Sequence, residues 1–172
     1  MSRSFTAPLM LLLALSLSAC QPGGEAEAPK QAAAQAELKA PENNDAGAWK
    51  AYLGQVVGKN MAGVTDRVFP YFLPADSGTP TPGDPDNKSQ YDRQLENVSA
   101  VLARTVLPGN MLAFGSPDSA KMADLVIAAF KDAKPDALKG SQVLFIGKTE
   151  DSERVKVAVE AVGGKYIFVE AK

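Results

Sequence analysis

Apolar residues recur along the chain at spacings that predict two helices in its first two thirds. From 45 to 64 and from 89 to 106, large apolar side chains return every three or four positions, as in an amphipathic helix. Asp45 and Ser89 precede these stripes and are residue types that cap helices. The apolar positions are Trp49, Tyr52, Leu53, Val56, Val57, Met61 and Val64 in the first stripe, and Tyr91, Leu95, Val98, Leu102 and Val106 in the second.

The last third of the chain combines short apolar runs with helical stripes. The runs near 111–115, 142–147 and 165–170 end at glycines or polar residues, which is typical of buried strands. Ser116 can cap the helix between the first two runs, and Pro117 suits its first turn. The order strand, helix, strand, helix, strand predicts an α/β domain with a small, mainly parallel, three-stranded sheet and about four helices. The third helical stripe comprises Met122, Leu125, Val126, Ala129 and Phe130.

One segment of this last third fits two structures. Val155, Val157 and Val159 alternate with other residues, as in an exposed strand, and a strand here would make the sheet an antiparallel meander. The first and last of these valines also form a helical stripe with Val162. Acidic residues directly after Thr149 are typical of a helix start, so we favour a helix.

A run of aromatic residues and a long loop lie between the two predicted helices. Val68–Leu73 contains Pro70, which allows an edge strand or an extended segment but excludes a central strand. Residues 74–87 include four prolines and two glycines and predict a surface loop. Its acidic residues resemble a calcium loop superficially, but Ser89 and Leu95 stand where that template requires glycine and glutamate. We therefore predict no metal site.

The N-terminus has the pattern of an exported protein. Arg3 precedes an apolar stretch from Leu9 to Leu17, which is too short to cross a membrane and predicts a signal peptide. The stretch ends in Leu-Ser-Ala-Cys at 17–20, which resembles the lipobox of bacterial lipoproteins. That resemblance implies cleavage before Cys20 and attachment of lipid to its sulfur. An ordinary secretory site with a chance cysteine is the alternative, but Cys20 is the only cysteine and would then be an unpaired thiol outside the cytoplasm.

These features divide the chain into three parts. Residues 1–19 are a predicted lipoprotein signal peptide. Residues 20–44 are rich in Ala, Glu, Gln, Pro and Lys, and we expect a lipidated, disordered, flexible tether. Residues 45–172 form a single predicted periplasmic α/β domain. Residue 21 is Gln21 and not aspartate, which by resemblance to such lipoproteins is a sorting signal for the outer membrane.

Composition excludes several classes of function. The chain has 18 basic and 20 acidic residues, which is not the charge balance of a nucleic-acid-binding protein. It has no histidine, which excludes a Ser-His-Asp triad and the usual zinc sites. Residues 147–149 have the Gly-Lys-Thr order that ends a phosphate-binding loop, but Gln142 occupies the position of its first glycine. We predict no cofactor.

Candidate ligand-binding residues lie in the two loops that follow the first two predicted strands. Ligands of parallel sheets gather beyond the carboxyl ends of the strands. The first loop offers helix N-terminal amides with the Ser116 and Ser119 hydroxyls, which would suit an anionic group. Asp118 would repel an anion there, and helix capping is the competing interpretation. The second loop contributes Lys148 and Thr149.

A second resemblance involves the turn after the second predicted strand. Residues 146–151, followed by Arg154, resemble part of the peptidoglycan-binding domain of outer-membrane lipoproteins. The resemblance implies that Asp151 and Arg154 hold a peptide amine and carboxylate, whereas a surface cap and an ion pair are the alternative. The candidate ligand-binding set is therefore Ser116, Asp118, Ser119, Lys148, Thr149, Asp151 and Arg154.

We expect a lipid-anchored protein on the periplasmic side of the envelope, attached to the membrane through Cys20. Its expected role is that of a non-catalytic accessory or binding module for another envelope component. The alternative is a binder of peptidoglycan or of a small anionic ligand at the strand ends. An unrecognised hydrolase is a third hypothesis, because Ser116, Ser119 and Lys148 could converge there without a histidine.

Overall fold

The computed structural model describes residues 38–172. The predicted signal peptide, Cys20 and most of the predicted tether lie outside the described residues. Helices and strands alternate along the described part of the chain. Their order is α1 (Ala46–Lys59), β1 (Val68–Phe72), α2 (Gln90–Ala103), β2 (Met111–Gly115), α3 (Ser119–Phe130), β3 (Gln142–Gly147), α4 (Thr149–Ala161) and β4 (Lys165–Glu170).

The strands form one parallel sheet in the order β1-β2-β3-β4. The predicted α/β class, with a parallel sheet and four helices, is confirmed for the part of the chain that the structure describes. The predicted number of three strands is wrong, because Val68–Phe72 adds a fourth strand at the edge of the sheet. Each connection leads to the neighbouring strand.

Pro70 is compatible with β1 because its ring nitrogen lies on the open side of the edge strand. The Met111 N–H donates to the Arg67 carbonyl at 2.8 Å, and the Leu73 N–H donates to the Gly115 carbonyl at 3.3 Å. Backbone groups alternate in direction along a strand, so the odd-numbered residues of β1 face β2 and Pro70 faces away. The missing donor therefore costs no ladder hydrogen bond.

The two faces of the sheet are covered differently. Helices α2, α3 and α4 connect neighbouring strands in one direction along the sheet, and right-handed crossovers place all three on the same face. Helix α1 precedes the first strand and covers the other face. Alternate residues of β2 and β3 supply the two cores. The first core includes Val98, Leu102, Leu112, Phe114, Leu125, Val126, Val143, Phe145, Val155 and Val159; the second includes Trp49, Tyr52, Leu53, Val56, Met111, Ala113, Leu144 and Ile146.

The ambiguous segment of the last third is helix α4. Val155 and Val159 are fully buried against the sheet, whereas Val157 is 61% exposed. Burial therefore follows the helical stripe instead of the two-residue alternation. The antiparallel meander is excluded, because β3 and β4 pair in parallel.

The helix starts agree with the sequence better than the helix ends. The Asp45 carboxylate accepts from the Ala48 N–H at 2.6 Å, and Ser89 forms a capping box with Asp92. Helix α1 ends at Lys59, so Met61 and Val64 lie beyond it. Helix α2 ends at Ala103, because two residues later the backbone takes a positive φ of 63° at Thr105. The apolar stripes continue past both ends because loop side chains also join the core.

The chain just before α1 contacts the folded part. Leu38 and Ala40 pack against the core on the α1 side of the sheet, and the Ala40 N–H donates to the Lys172 carbonyl at 2.5 Å. Residues in the predicted tether region 20–44 therefore include some that touch the domain. Between residues 38 and 172 no helix is long and apolar enough to cross a membrane.

Gly147 tests the tight packing at the end of β3. A Cβ added there would lie 2.5 Å from the Ser119 hydroxyl oxygen and 2.7 Å from the Phe145 ring. We expect Gly147→Ala to lower the free energy of unfolding by about 1–3 kcal/mol in urea denaturation. Gly54→Ala is the control, because nothing lies within 4 Å of an added Cβ and alanine favours a helix by about 1 kcal/mol. Equal unfolding free energies for Gly147→Ala and the unmodified protein would contradict this packing.

Candidate functional site

The two predicted loops meet at the carboxyl ends of β2 and β3. Ser119, the first residue of α3, joins them. Its hydroxyl donates to Asp151 Oδ2 at 2.6 Å and accepts the Lys148 backbone N–H at 2.8 Å. Because β2 and β3 are neighbours in the sheet, residues 29 and 32 positions apart come into hydrogen-bond contact.

Asp151 is a buried charge with a complete set of partners. Its side chain is 7% exposed, and Arg154 donates to Oδ1 from Nε at 3.1 Å and from Nη2 at 2.7 Å. Burial raises the pKa of Asp151. The hydrogen bonds from Ser119 and Arg154 and the charge of Arg154 lower the pKa, and together they outweigh the effect of burial. The net pKa is below the usual value, so the carboxylate is ionised and is a weak base.

Arg154 also ties α4 to α3. Its Nη2 donates to the Ala120 carbonyl at 3.0 Å, and its Nη1 forms an ion pair with Asp124. Asp124 is largely exposed, whereas Asp151 is buried. The guanidinium therefore joins the first turn of α4 to the first two turns of α3.

Ser116, Asp118 and Thr149 have hydrogen-bond partners outside this network. Ser116 is buried and accepts the Asp118 N–H at 3.0 Å. The expectation that Ser116 caps the next helix is wrong, because Asp118 does so by accepting the Lys121 N–H at 3.0 Å. The Thr149 hydroxyl donates to Glu170 Oε1 at 2.9 Å.

A small cavity lies beside this network, on the α1 side. Its volume is ≈ 170 Å³. Three of the seven predicted residues line it, namely Ser116, Ser119 and Lys148. The sequence did not indicate the rest of its wall, because this wall comes from distant parts of the chain. Those residues are Ala40, Pro41, Glu42, Trp49, Pro117, Ala171 and Lys172.

Charge does not make this cavity a strong anion site. The Lys148 ammonium is 3.9 Å from Glu150, and the Lys172 ammonium is 2.9 Å from Glu170. Glu42 adds an acid to the wall. Trp49 contributes an apolar surface, and its indole N–H donates to the Asn43 carbonyl at 2.9 Å. A ligand here would be small and would contact both apolar and polar groups.

The geometry of the network is that of a structural junction. The nearest base to the Ser119 hydroxyl is Asp151, whose lowered pKa makes it poorly suited to accept a proton. Within residues 38–172, no group of three or more Asp, Glu, His or Cys side chains is arranged to hold a metal ion. Comparisons with protein-family models, with curated proteins and with solved structures find no match to the chain.

The ion pair between Asp151 and Arg154 tests this structural role. We expect Asp151→Asn to lower the free energy of unfolding by about 1.5–3 kcal/mol at neutral pH, because the hydrogen bonds that Ser119 and Arg154 donate lose their charged acceptor. Asp124→Asn is the matched control, with an expected loss under about 1 kcal/mol because Asp124 is exposed.

The same pair predicts a dependence on pH. Because the pKa of Asp151 is lowered in the folded state, its contribution is present above the unfolded pKa of about 3.9 and is lost as the pH falls through the folded value. The stability difference between Asp151→Asn and the unmodified protein should therefore shrink below about pH 4. Urea denaturation at several pH values measures it. A difference that does not change with pH would count against an ionised Asp151.

Proposed function

We propose that this chain is a lipoprotein anchored in the outer membrane through Cys20, with its α/β domain in the periplasm. The domain serves as a non-catalytic accessory or binding module for another component of the envelope. The signal-peptide pattern of residues 1–20, ending at the only cysteine of the chain, is the observation that carries the placement. The predicted tether of residues 20–44 would connect the lipid to the domain.

We propose a non-catalytic role because the polar groups near the strand ends are hydrogen-bonded to one another. The Ser119 hydroxyl, the Asp151 carboxylate and the Arg154 guanidinium bond to one another and hold two turns together. A group committed to such a junction is costly to withdraw for chemistry, because a buried charge would lose its partner. The same contacts argue against free Asp151 and Arg154 groups for a peptidoglycan peptide.

A second candidate function is the binding of a small ligand at the carboxyl ends of β2 and β3. The cavity of ≈ 170 Å³ lined by Ser116, Ser119 and Lys148 is the observation that favours it. Its position agrees with the rule that ligands of parallel sheets bind beyond the carboxyl ends of strands. Lys148 supplies a cation that could meet an anionic group of the ligand.

Mass spectrometry of protein isolated from bacterial membranes tests the anchor. We expect a mature chain that begins at Cys20 and carries acyl groups, and we expect it to fractionate with the outer membrane. Cys20→Ser should abolish both the added lipid mass and the removal of residues 1–19. An intact N-terminus at Met1, or an unmodified Cys20, would exclude the proposed location.

Retention on purified peptidoglycan sacculi separates the accessory role from a cavity that binds a group of peptidoglycan. We expect the unmodified protein to pass through, and in-cell crosslinking to recover an envelope protein. If the protein is retained, Lys148→Ala tests the cavity, with Lys156→Ala on α4, which does not line it, as the control. Retention that Lys148→Ala abolishes and Lys156→Ala preserves would replace the accessory role by the second function.

A further inference from the structure

The two edges of the sheet differ in whether they can accept another strand. At the β1 edge, Pro70 faces outward and offers no N–H, which blocks strand addition at the centre of the edge. The β4 edge has no proline, and its charged residues, Lys165 and Glu170, stand only at its two ends. The four residues between them are aromatic or β-branched and half-buried.

The backbone groups on the open side of β4 can be assigned from its bonds to β3. The Lys165 N–H donates to the Ser141 carbonyl at 3.0 Å, and the Ala171 N–H donates to the Gly147 carbonyl at 2.9 Å. The odd-numbered residues therefore face β3, and the even-numbered residues point their N–H and C=O groups outward. Within residues 38–172, the outward groups from 166 to 170 have no backbone partner.

The structure already shows that this edge accepts backbone hydrogen bonds. Just beyond β4, the Lys172 carbonyl accepts the Ala40 N–H. This single bond continues the edge at its carboxyl end and leaves the length of β4 open. Unpaired edges of this kind are the usual sites of strand addition.

We propose that β4 pairs antiparallel with β4 of a second copy of this chain, in a register centred on Phe168. The outward residues Tyr166, Phe168 and Glu170 are symmetric about Phe168, so a two-fold axis satisfies all their donors and acceptors with about six hydrogen bonds. The two four-stranded sheets would become one continuous sheet. The location and binding role proposed above do not depend on this pairing.

The side chains fit this register. Phe168 lies opposite Phe168 of the second copy, and Tyr166 lies opposite its Glu170, which places a phenol beside a carboxylate. On the other face, Ile167 meets Val169, an apolar pair of β-branched residues.

Light scattering of the purified full chain in detergent, with the detergent mass subtracted, measures the oligomeric state. We expect a dimer. Glu170→Pro removes one outward N–H per copy and should weaken the dimer by about tenfold or more. Glu170→Gln keeps the N–H, removes the charge and should leave dimerisation within about twofold of the unmodified protein. A monomer at every concentration, or a dimer that Glu170→Pro does not weaken, would overturn the proposal.

Amide hydrogen exchange of the unmodified chain supplies a test that needs no variant. The amides of Ile167 and Val169 face β3 and should exchange slowly at every protein concentration. Those of Tyr166, Phe168 and Glu170 should become protected only as the concentration rises and the dimer forms. Protection of these three in a chain that light scattering shows to be monomeric would assign the edge to another part of the same chain and contradict the dimer. Fast exchange at all concentrations would contradict it as well.

Discussion

The burial of one carboxylate constrains how the turns after β2 and β3 pack together. Asp151 lies at the start of α4 behind the end of β3, where an ionised group is tolerated only with partners close by. Ser119 of α3 and Arg154 of α4 supply them, and Arg154 also donates to the Ala120 carbonyl of α3. The result is a junction between two consecutive strand-to-helix turns, at the carboxyl ends of the strands, where α/β proteins hold ligands.

That junction explains why a conspicuous set of polar residues is compatible with a binding module. The hydroxyl, the carboxylate and the guanidinium satisfy one another, and of these three residues Ser119 alone also lines the cavity beside them. Trp49 links this cavity to the core beneath α1. Most contacts with a ligand would therefore come from residues outside the network, which supports the cavity wall through Ser119.

The sheet has an asymmetry that follows from its order. The strands lie side by side in chain order, so β1 and β4 are the two edges. All three crossover helices cover one face, and α1 is the helix that covers the other. Pro70 protects one edge, while β4 presents an unbroken row of backbone groups at the other. Such an edge is the natural place for the molecule to meet another strand.

Local pattern was enough to predict the α/β class, the parallel direction of the sheet, the starts of α1 and α2 and the stripe of α4, because capping and burial repeat with the period of each element. It placed the candidate residues in two neighbouring loops for the same reason. It did not determine that β1 joins the sheet. Pro70 is compatible with a strand only if it faces away from the neighbouring strand, and that depends on pairing with residues more than 40 positions away. Nor did it determine that Asp151 bonds to Ser119, or that residues near 40 and 172 help to form the cavity. Those contacts exist only after the chain has packed, because spacing along a sequence carries no information about which distant groups share a buried site.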